Sequence, residues 1–363
     1  ASRLSLQAAN ALIELHFEAQ AKACDALGSP FTARICRAVT SLLDAGTETG
    51  KCILGWPGDP AADAMSLRLC GGLHALVLTG SDNTLAAVYP PNKVDDATLK
   101  AALAKAIRRH DAQLLRFMAS PPQTNEISRS GMLLPGFLFI ARQFGLPLAI
   151  REIGSSAGLN LNFDRFYYRY GSEEWGDGAS PVHLFSPEVK GNFPPPLDGA
   201  LSIASRAGCD IAPIDLADPA SCLRLRSYVW ADQSARLERL DAAIAVAARF
   251  PNPLLKADAA DFVKKSLAER TPGQAFVLFH SIMWQYMPEP TRQAIEDQLR
   301  QAGTDASADS PVAWLRMEPL GAKARHATLS LTVWPGGRAI HLANCDYHGR
   351  WIEWVAGSAP DQP

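Results

Sequence analysis

Apolar and polar residues alternate along this chain with two different periods, and the change between them falls near residue 145. Before that point the spacing is helical. Leu6, Ala9, Ile13, Phe17, Ala21 and Cys24 lie on one helical face, and Gly28-Ser29-Pro30 stops the pattern. Phe31, Ile35, Ala38 and Leu42 carry a second stripe that ends before Gly46. The dense apolar run from Ala61 to Thr79 predicts a buried helix, which Gly71-Gly72 weakens by about 1 kcal/mol per glycine. Asp95-Asp96 opens an amphipathic helix with Leu99, Leu103, Ile107, Leu114 and Phe117 inward, and Met132 to Phe144 resumes as an apolar helix. Between them, Ser120 to Glu126 breaks the pattern with hydrogen-bonding side chains, as either a loop covering a site or a Pro-stiffened linker.

From Leu148 onward the runs shorten. Leu148 to Ile153, bounded by Pro147 and Gly154, is too short for a buried helix and predicts a central parallel strand covered on both faces. Leu201 to Asp215, Leu254 to Asp258, Gln274 to Ser281 and Val312 to Met317 predict further strands, with helices over Asn160 to Tyr170, Ser221 to Phe250 and Glu289 to Gln301. Thr328 to Trp334 and Arg338 to Ala343 read as a hairpin turned by Pro335-Gly336-Gly337. Gly171 to Leu197 is irregular, and a loop of that length is expected to be functional, here as a flap over the site. The expected fold is α/β: a helical N-terminal domain over residues 1–145 and a Rossmann-like, mostly parallel sheet over 146–363 that ends in an antiparallel hairpin. Five strand-and-helix units closed in this way are the layout of a class I methyltransferase sheet.

The turn after the first strand, Gly154-Ser155-Ser156-Ala157-Gly158, is the stretch around which chemistry is expected, because open α/β sheets bind ligands at the carboxyl ends of their strands. A dinucleotide site wants G-x-G-x-x-G, and this loop is G-x-x-x-G, which serves a phosphate poorly. The same residues satisfy G-x-S-x-G with Ser156 as a serine-hydrolase nucleophile, although a hydrolase elbow follows several strands and the residues before Leu148 read as helical. An S-adenosylmethionine site needs only small residues near a ligand without phosphate, and Glu152 suits its amino-acid end. A plain strand-to-helix turn without ligand also accounts for the pattern.

Composition narrows the partners. The 363 residues carry a formal net charge of -2, which gives no electrostatic reason to expect nucleic acid or an anionic membrane. Seven scattered cysteines with no C-x-x-C pair indicate neither a disulfide framework nor a zinc ribbon, so a reducing cytoplasm is the expected compartment. No stretch approaches the roughly 20 apolar residues of a membrane span, and no basic segment followed by a long apolar run opens the sequence. His341, Cys345, Asp346 and His348 match no common zinc spacing, and strand alternation turns neighbours to different faces, so no metal is expected.

Four runs carry a resemblance: S-P-P-Q-T-N-E at Ser120 to Glu126, E-I-G-S-S-A-G-L-N-L at Glu152 to Leu161, F-H-S-I-M-W-Q-Y at Phe279 to Tyr286 and H-G-R-W-I-E-W at His348 to Trp354. Together they resemble a bacterial family of uncharacterised proteins, domain of unknown function family 2332, over nearly the whole chain. The family has no established activity to carry over. Asp346-Tyr347 stands where relatives are expected to have His-Pro, which argues against an essential role there. More distantly the chain is similar to class I S-adenosylmethionine-dependent methyltransferases. That likeness implies a cofactor held around Glu152, Gly154, Ser155, Ser156 and Gly158. Asp210 or Asp215 would hold the ribose and Asp258 the adenine edge, and His280, at the carboxyl end of its strand, would face a small-molecule acceptor as general base. A structural, hydrogen-bonded His280 fits the same position. No [D/N]-P-P-[Y/F] run and no Pro-Cys nucleophile follows the fourth strand, so amino-methylating and cytosine-methylating chemistries are not expected. Two other function classes fit the same sequence: a serine hydrolase using Ser156, and a non-catalytic scaffold that keeps the fold.

Overall fold

The computed structural model of the chain describes residues 3–186, 188–191 and 194–356. Eight helices precede the first strand: α1 (Arg3–Ala26), α2 (Pro30–Val39), α3 (Glu48–Leu54), α4 (Met65–Leu78), α5 (Asn83–Ala86), α6 (Asp96–Arg109), α7 (Asp111–Met118) and α8 (Arg129–Phe144). The strands are β1 (Leu148–Ile153), β2 (Tyr167–Tyr170), β3 (Glu173–Trp175), β4 (His183–Ser186), β5 (Glu188–Lys190), β6 (Ile203–Asp210), β7 (Leu254–Lys256), β8 (Ala275–Ser281), β9 (Val312–Glu318), β10 (Ala327–Trp334), β11 (Arg338–Cys345) and β12 (Trp351–Trp354). Helices α9 (Pro219–Ser227), α10 (Ser234–Arg249), α11 (Ala259–Ala268) and α12 (Glu289–Thr304) fill the later connections.

Contacts divide the chain into two compact units, and the division differs from a single cut at residue 145. One unit comprises residues 1–124 and 217–238; the other comprises 125–216 and 239–363. In the first, the helical stripes close on a core that includes Phe17, Cys24, Ile35, Leu69, Leu73, Leu99 and Leu103. The predicted Asp95 start of α6 is a true N-cap, its side chain accepting the Thr98 N–H. His110 divides the expected long helix into α6 and α7.

The second unit is built on a nine-stranded sheet in the order β5-β12-β11-β10-β9-β8-β1-β6-β7, beside a small sheet β3-β2-β4. Pairs β6–β7, β1–β6, β1–β8 and β8–β9 are parallel, and β9–β10, β10–β11 and β11–β12 are antiparallel. The class is therefore α/β with a mostly parallel sheet. The stretch β7-β6-β1-β8-β9 is the 3-2-1-4-5 order of a doubly wound sheet, whose direction of growth reverses between β1 and β8. Both faces are covered, which is why β1 and β8 read as continuous apolar runs. Phe276, Leu278 and Val312 pack with Phe262, Ile295 and Leu299 of α11 and α12. On the other face Phe137 of α8 meets Phe279, and Gly136 lets Leu315 and Leu329 approach.

Three expected stretches take another form. Asn160 to Tyr170 is a 3-10 turn over Leu159–Arg165 followed by β2, because Tyr168 and Tyr170 are buried and their hydroxyls donate to the carbonyls of Phe163 and Gly131. The 171–197 stretch supplies β3, β4 and β5; residues 187, 192 and 193 lie outside the described residues. The predicted helix over Ser221 to Phe250 is two helices, α9 and α10.

Candidate functional site

Among the described residues the first strand of the chain is β1, and its glycine-rich corner lies at the point where strand order reverses. Gly154 and Gly158 have φ of +65° and +73°, the left-handed region glycine enters without strain, and this lets the chain leave the strand sharply. Ser156 lies between them with φ of +55°, a conformation that costs a non-glycine residue about 1–2 kcal/mol. Three neighbours hold it there. The Ser156 N–H donates to Asp210 Oδ2 at 2.9 Å, the Ile214 N–H donates to the Ser156 carbonyl at 3.0 Å, and the Ser155 N–H donates to the Cys209 carbonyl at 2.9 Å. Asn125 completes the cradle, its Oδ1 accepting the N–H groups of Ala157 and Leu159 at 3.2 and 3.1 Å.

Inside this loop two polar atoms have no partner. Glu152 is 3% exposed and its Oε1 accepts no hydrogen bond; the Ser156 hydroxyl is likewise buried and unbonded. Burial holds the Glu152 carboxyl well above the usual carboxylate range, the Ser155 hydroxyl and the charge of Arg129 pull it back down, and the nearby Asp210 adds to the rise. Ser155, by contrast, is satisfied, its hydroxyl donating to the Glu152 carbonyl at 2.9 Å. Cys209 at the end of β6 is no thiolate nucleophile: burial, with Asp210 beside it, pushes its thiol up to about 12.

The structure gathers Glu152, Gly154, Ser155, Ser156, Gly158 and Asp210 at one corner. Asp210 works within it, since Oδ1 also accepts the Ala212 N–H at 2.9 Å. Asp215 is exposed, one residue after the Ile214 that bonds the loop. Asp258 is the N-cap of α11, accepting the Ala260 and Asp261 N–H groups. The β6 and β7 ends stay together through the Ala257 N–H on the Asp210 carbonyl at 3.1 Å.

His280 stands apart from this group. In the β1–β8 register Glu152 pairs with Phe279, so strand alternation sends the next side chain, His280, to the opposite face. There it is wholly buried, with Nδ1 on Glu318 Oε1 at 2.7 Å, Nε2 accepting the Trp314 indole N–H at 2.9 Å and Trp284 stacked at 5.0 Å. Accepting from Trp314 fixes the tautomer: Nδ1 carries the proton and donates it to Glu318. Neither nitrogen is left to take a proton from a substrate. Glu318 also accepts the N–H groups of Met283 and Trp284, shaping the turn after β8. That turn lays Met283 on Gly154, where an added Cβ would meet Met283 Cγ at 2.8 Å.

Sequence reasoning did not mark Asn125, Met283, Trp314 or Glu318 as site residues. Asn125 carries a signal within the polar Ser120 to Glu126 break, and Met283 one within the Phe279 to Tyr286 run. Near the C-terminus, His341 bonds Asn344 and Asp346 pairs with Arg350. Among the described residues no group of three or more His, Cys, Asp or Glu side chains is arranged to hold a metal, and no helix is long and apolar enough to cross a membrane.

The model of the family described as uncharacterized protein conserved in bacteria (DUF2332) matches residues 14–354, and the chain belongs to that family. The chain matches no curated protein and no solved structure.

Proposed function

We propose that this member of the family binds S-adenosylmethionine at the carboxyl end of β1 and acts as a methyltransferase on a small-molecule acceptor. The observation that carries the reading is the pair of buried, unbonded atoms, Glu152 Oε1 and Ser156 Oγ, under a glycine-bracketed loop at the sheet's reversal point. A buried polar group without a partner costs about 1–3 kcal/mol, and a ligand that supplies the missing bond removes that cost. The β7-β6-β1-β8-β9 order supports the reading, because it puts the β1 corner at the reversal point where doubly wound sheets bind ligands.

The residues fit the cofactor by their chemistry. Glu152 would take the ammonium of its amino-acid end and Ser156 would bond the same end. Asp210 uses one bond per oxygen on the loop, so its remaining lone pairs are open to ribose hydroxyls; Asp215 is its alternative, and Asp258 would meet the adenine edge. When bound, the cofactor supplies an electrophilic methyl group. Met283 is unbranched and flexible enough to leave Gly154 on binding. His280 contributes by holding the β8–β9 corner through Glu318 rather than by moving a proton.

A second reading rests on one observation: Ser156 at φ +55° in G-x-S-x-G has the strained backbone of a hydrolase nucleophile. Its hydroxyl has no partner, whereas an activated serine sits within about 2.6–3.2 Å of its base. Thermal melts of the full chain against S-adenosylmethionine and S-adenosylhomocysteine separate these readings. A ligand at 100 times its Kd adds about 2.7 kcal/mol, so a clear upward shift is expected. Absence of a shift, together with fluorophosphonate labelling lost in Ser156→Ala, would transfer the assignment to a hydrolase.

A further inference from the structure

The H-G-R-W-I-E-W run plays no part in the loop described above, yet it helps to line a second site. Within the same unit a cavity of about 210 Å³ opens at the amino end of α8, where Ser128 and Gly131 meet Tyr170 of β2, Phe185 of β4, Arg239 of α10 and the His348 and Arg350 side chains. Its size is below the roughly 300–1,000 Å³ of drug-sized pockets, which suits a small metabolite.

The two guanidinium groups in it are not equivalent. Arg350 is committed, with Nε and Nη2 each 2.9 Å from an oxygen of Asp346. Burial alone would push the Asp346 carboxyl up, but its bonds to Arg350 and that residue's charge hold it below the usual range, so the pair is neutral overall. Arg239 has no such partner: its Nε is buried and unbonded. Arg239 as a whole is half-buried, but a buried N–H edge without an acceptor is costly, and an anion in the cavity could supply the missing bond. Helix α8 is 16 residues long, and its amino end adds a positive partial charge on the same side.

Tyr170, Leu184 and Phe185 supply the cavity's apolar lining. Tyr170 is fixed by its hydroxyl on the Gly131 carbonyl at 2.5 Å, and Phe185, which pairs with Arg169 in the register and carries that guanidinium over its ring at 5.6 Å, is 54% exposed at the rim.

We propose that this cavity binds a small oxyanion, a phosphate monoester or a carboxylate, with Arg239 as its forked anchor and the ligand's apolar body against Phe185 and Tyr170. The guanidinium fork matches either anion in two-bond geometry. The site is independent of the methyltransferase reading.

The test is thermal melting of the full chain at constant ionic strength against phenyl phosphate, benzoate and inorganic phosphate, repeated with Arg239→Gln and Phe185→Ala. The wild type is expected to shift saturably with phenyl phosphate or with benzoate, and whichever acts identifies the anion. Arg239→Gln is expected to melt no lower than wild type without ligand, since Nε gives up no bond, and to need at least tenfold more ligand for the same shift. Phe185→Ala is expected to lose the preference for phenyl phosphate over inorganic phosphate. No wild-type shift with any of the three, or an equal shift in Arg239→Gln, would overturn the assignment.

Discussion

The His280 imidazole and the Glu318 carboxylate meet at 2.7 Å and join the carboxyl ends of two neighbouring parallel strands, β8 and β9. The same carboxylate accepts backbone N–H groups of Met283 and Trp284, so one side chain holds an imidazole and a turn. Ile282, at φ +48°, is kept in a left-handed conformation that a β-branched residue rarely adopts. Replacing Glu318 by Ala leaves these donors buried without an acceptor and should lower stability by about 3 kcal/mol or more. Glu318→Gln keeps one acceptor oxygen and should lose less. Denaturant unfolding of both variants measures the difference, and equal losses would contradict this role for the carboxylate.

The backbone of the β1 corner makes a second prediction. Ser156 is held at φ +55° by bonds to its N–H and carbonyl, while its hydroxyl bonds nothing. Ser156→Gly should therefore stabilise the unliganded protein by about 1 kcal/mol, the strain released. Asp210→Ala should destabilise it by about 1–3 kcal/mol, because the Ser156 and Ala212 N–H groups lose their acceptor. Amide hydrogen exchange at Ser156 should quicken in the Asp210 variant alone.

Much of this corner was legible in advance, for a local reason. Leu148 to Ile153 is apolar, short and bounded by Pro147 and Gly154, and those signals act within a few residues of each other. The spacing over Tyr167 to Tyr170 reads as helix, but its burial is decided by partners in α8 and the 3-10 turn, which spacing does not encode. The break between α9 and α10 has a similar origin: Asp232 accepts the Phe31 N–H at 3.0 Å and the Ser29 hydroxyl, about 200 residues earlier in the chain. His280 was placed correctly at a strand end, but Trp314 and Glu318, 34 and 38 residues further on, occupy its nitrogens. Asn125 reaches the loop from 32 residues upstream of Ala157, and nothing in the spacing of Arg239 marks it as lining a cavity.

Glu152 makes the account sensitive to pH. Its folded carboxyl is held above its unfolded value of about 4.3, chiefly by burial. Between the two values the folded chain keeps a proton that the unfolded chain has released, so stability present at low pH is lost as pH rises through the folded value. Glu152→Gln cannot ionise and removes that slope. The variant should melt above wild type at pH 8, with the gap closing toward pH 4. A gap that widens on acidification would mean that the folded carboxyl is instead stabilised as the anion.

The most direct measurement of the central claim, a nucleoside cofactor at the β1 corner, is calorimetric titration of the full chain with S-adenosylhomocysteine at pH 7 in two buffers of different ionisation enthalpy. Burial holds the Glu152 carboxyl above its ordinary range, and pairing with the ligand's ammonium draws it back down, so binding favours loss of the proton. Saturable one-site binding with net proton release is therefore predicted, with the release abolished in Glu152→Gln. No binding heat in either buffer, or binding with the same proton release in Glu152→Gln, would contradict the account.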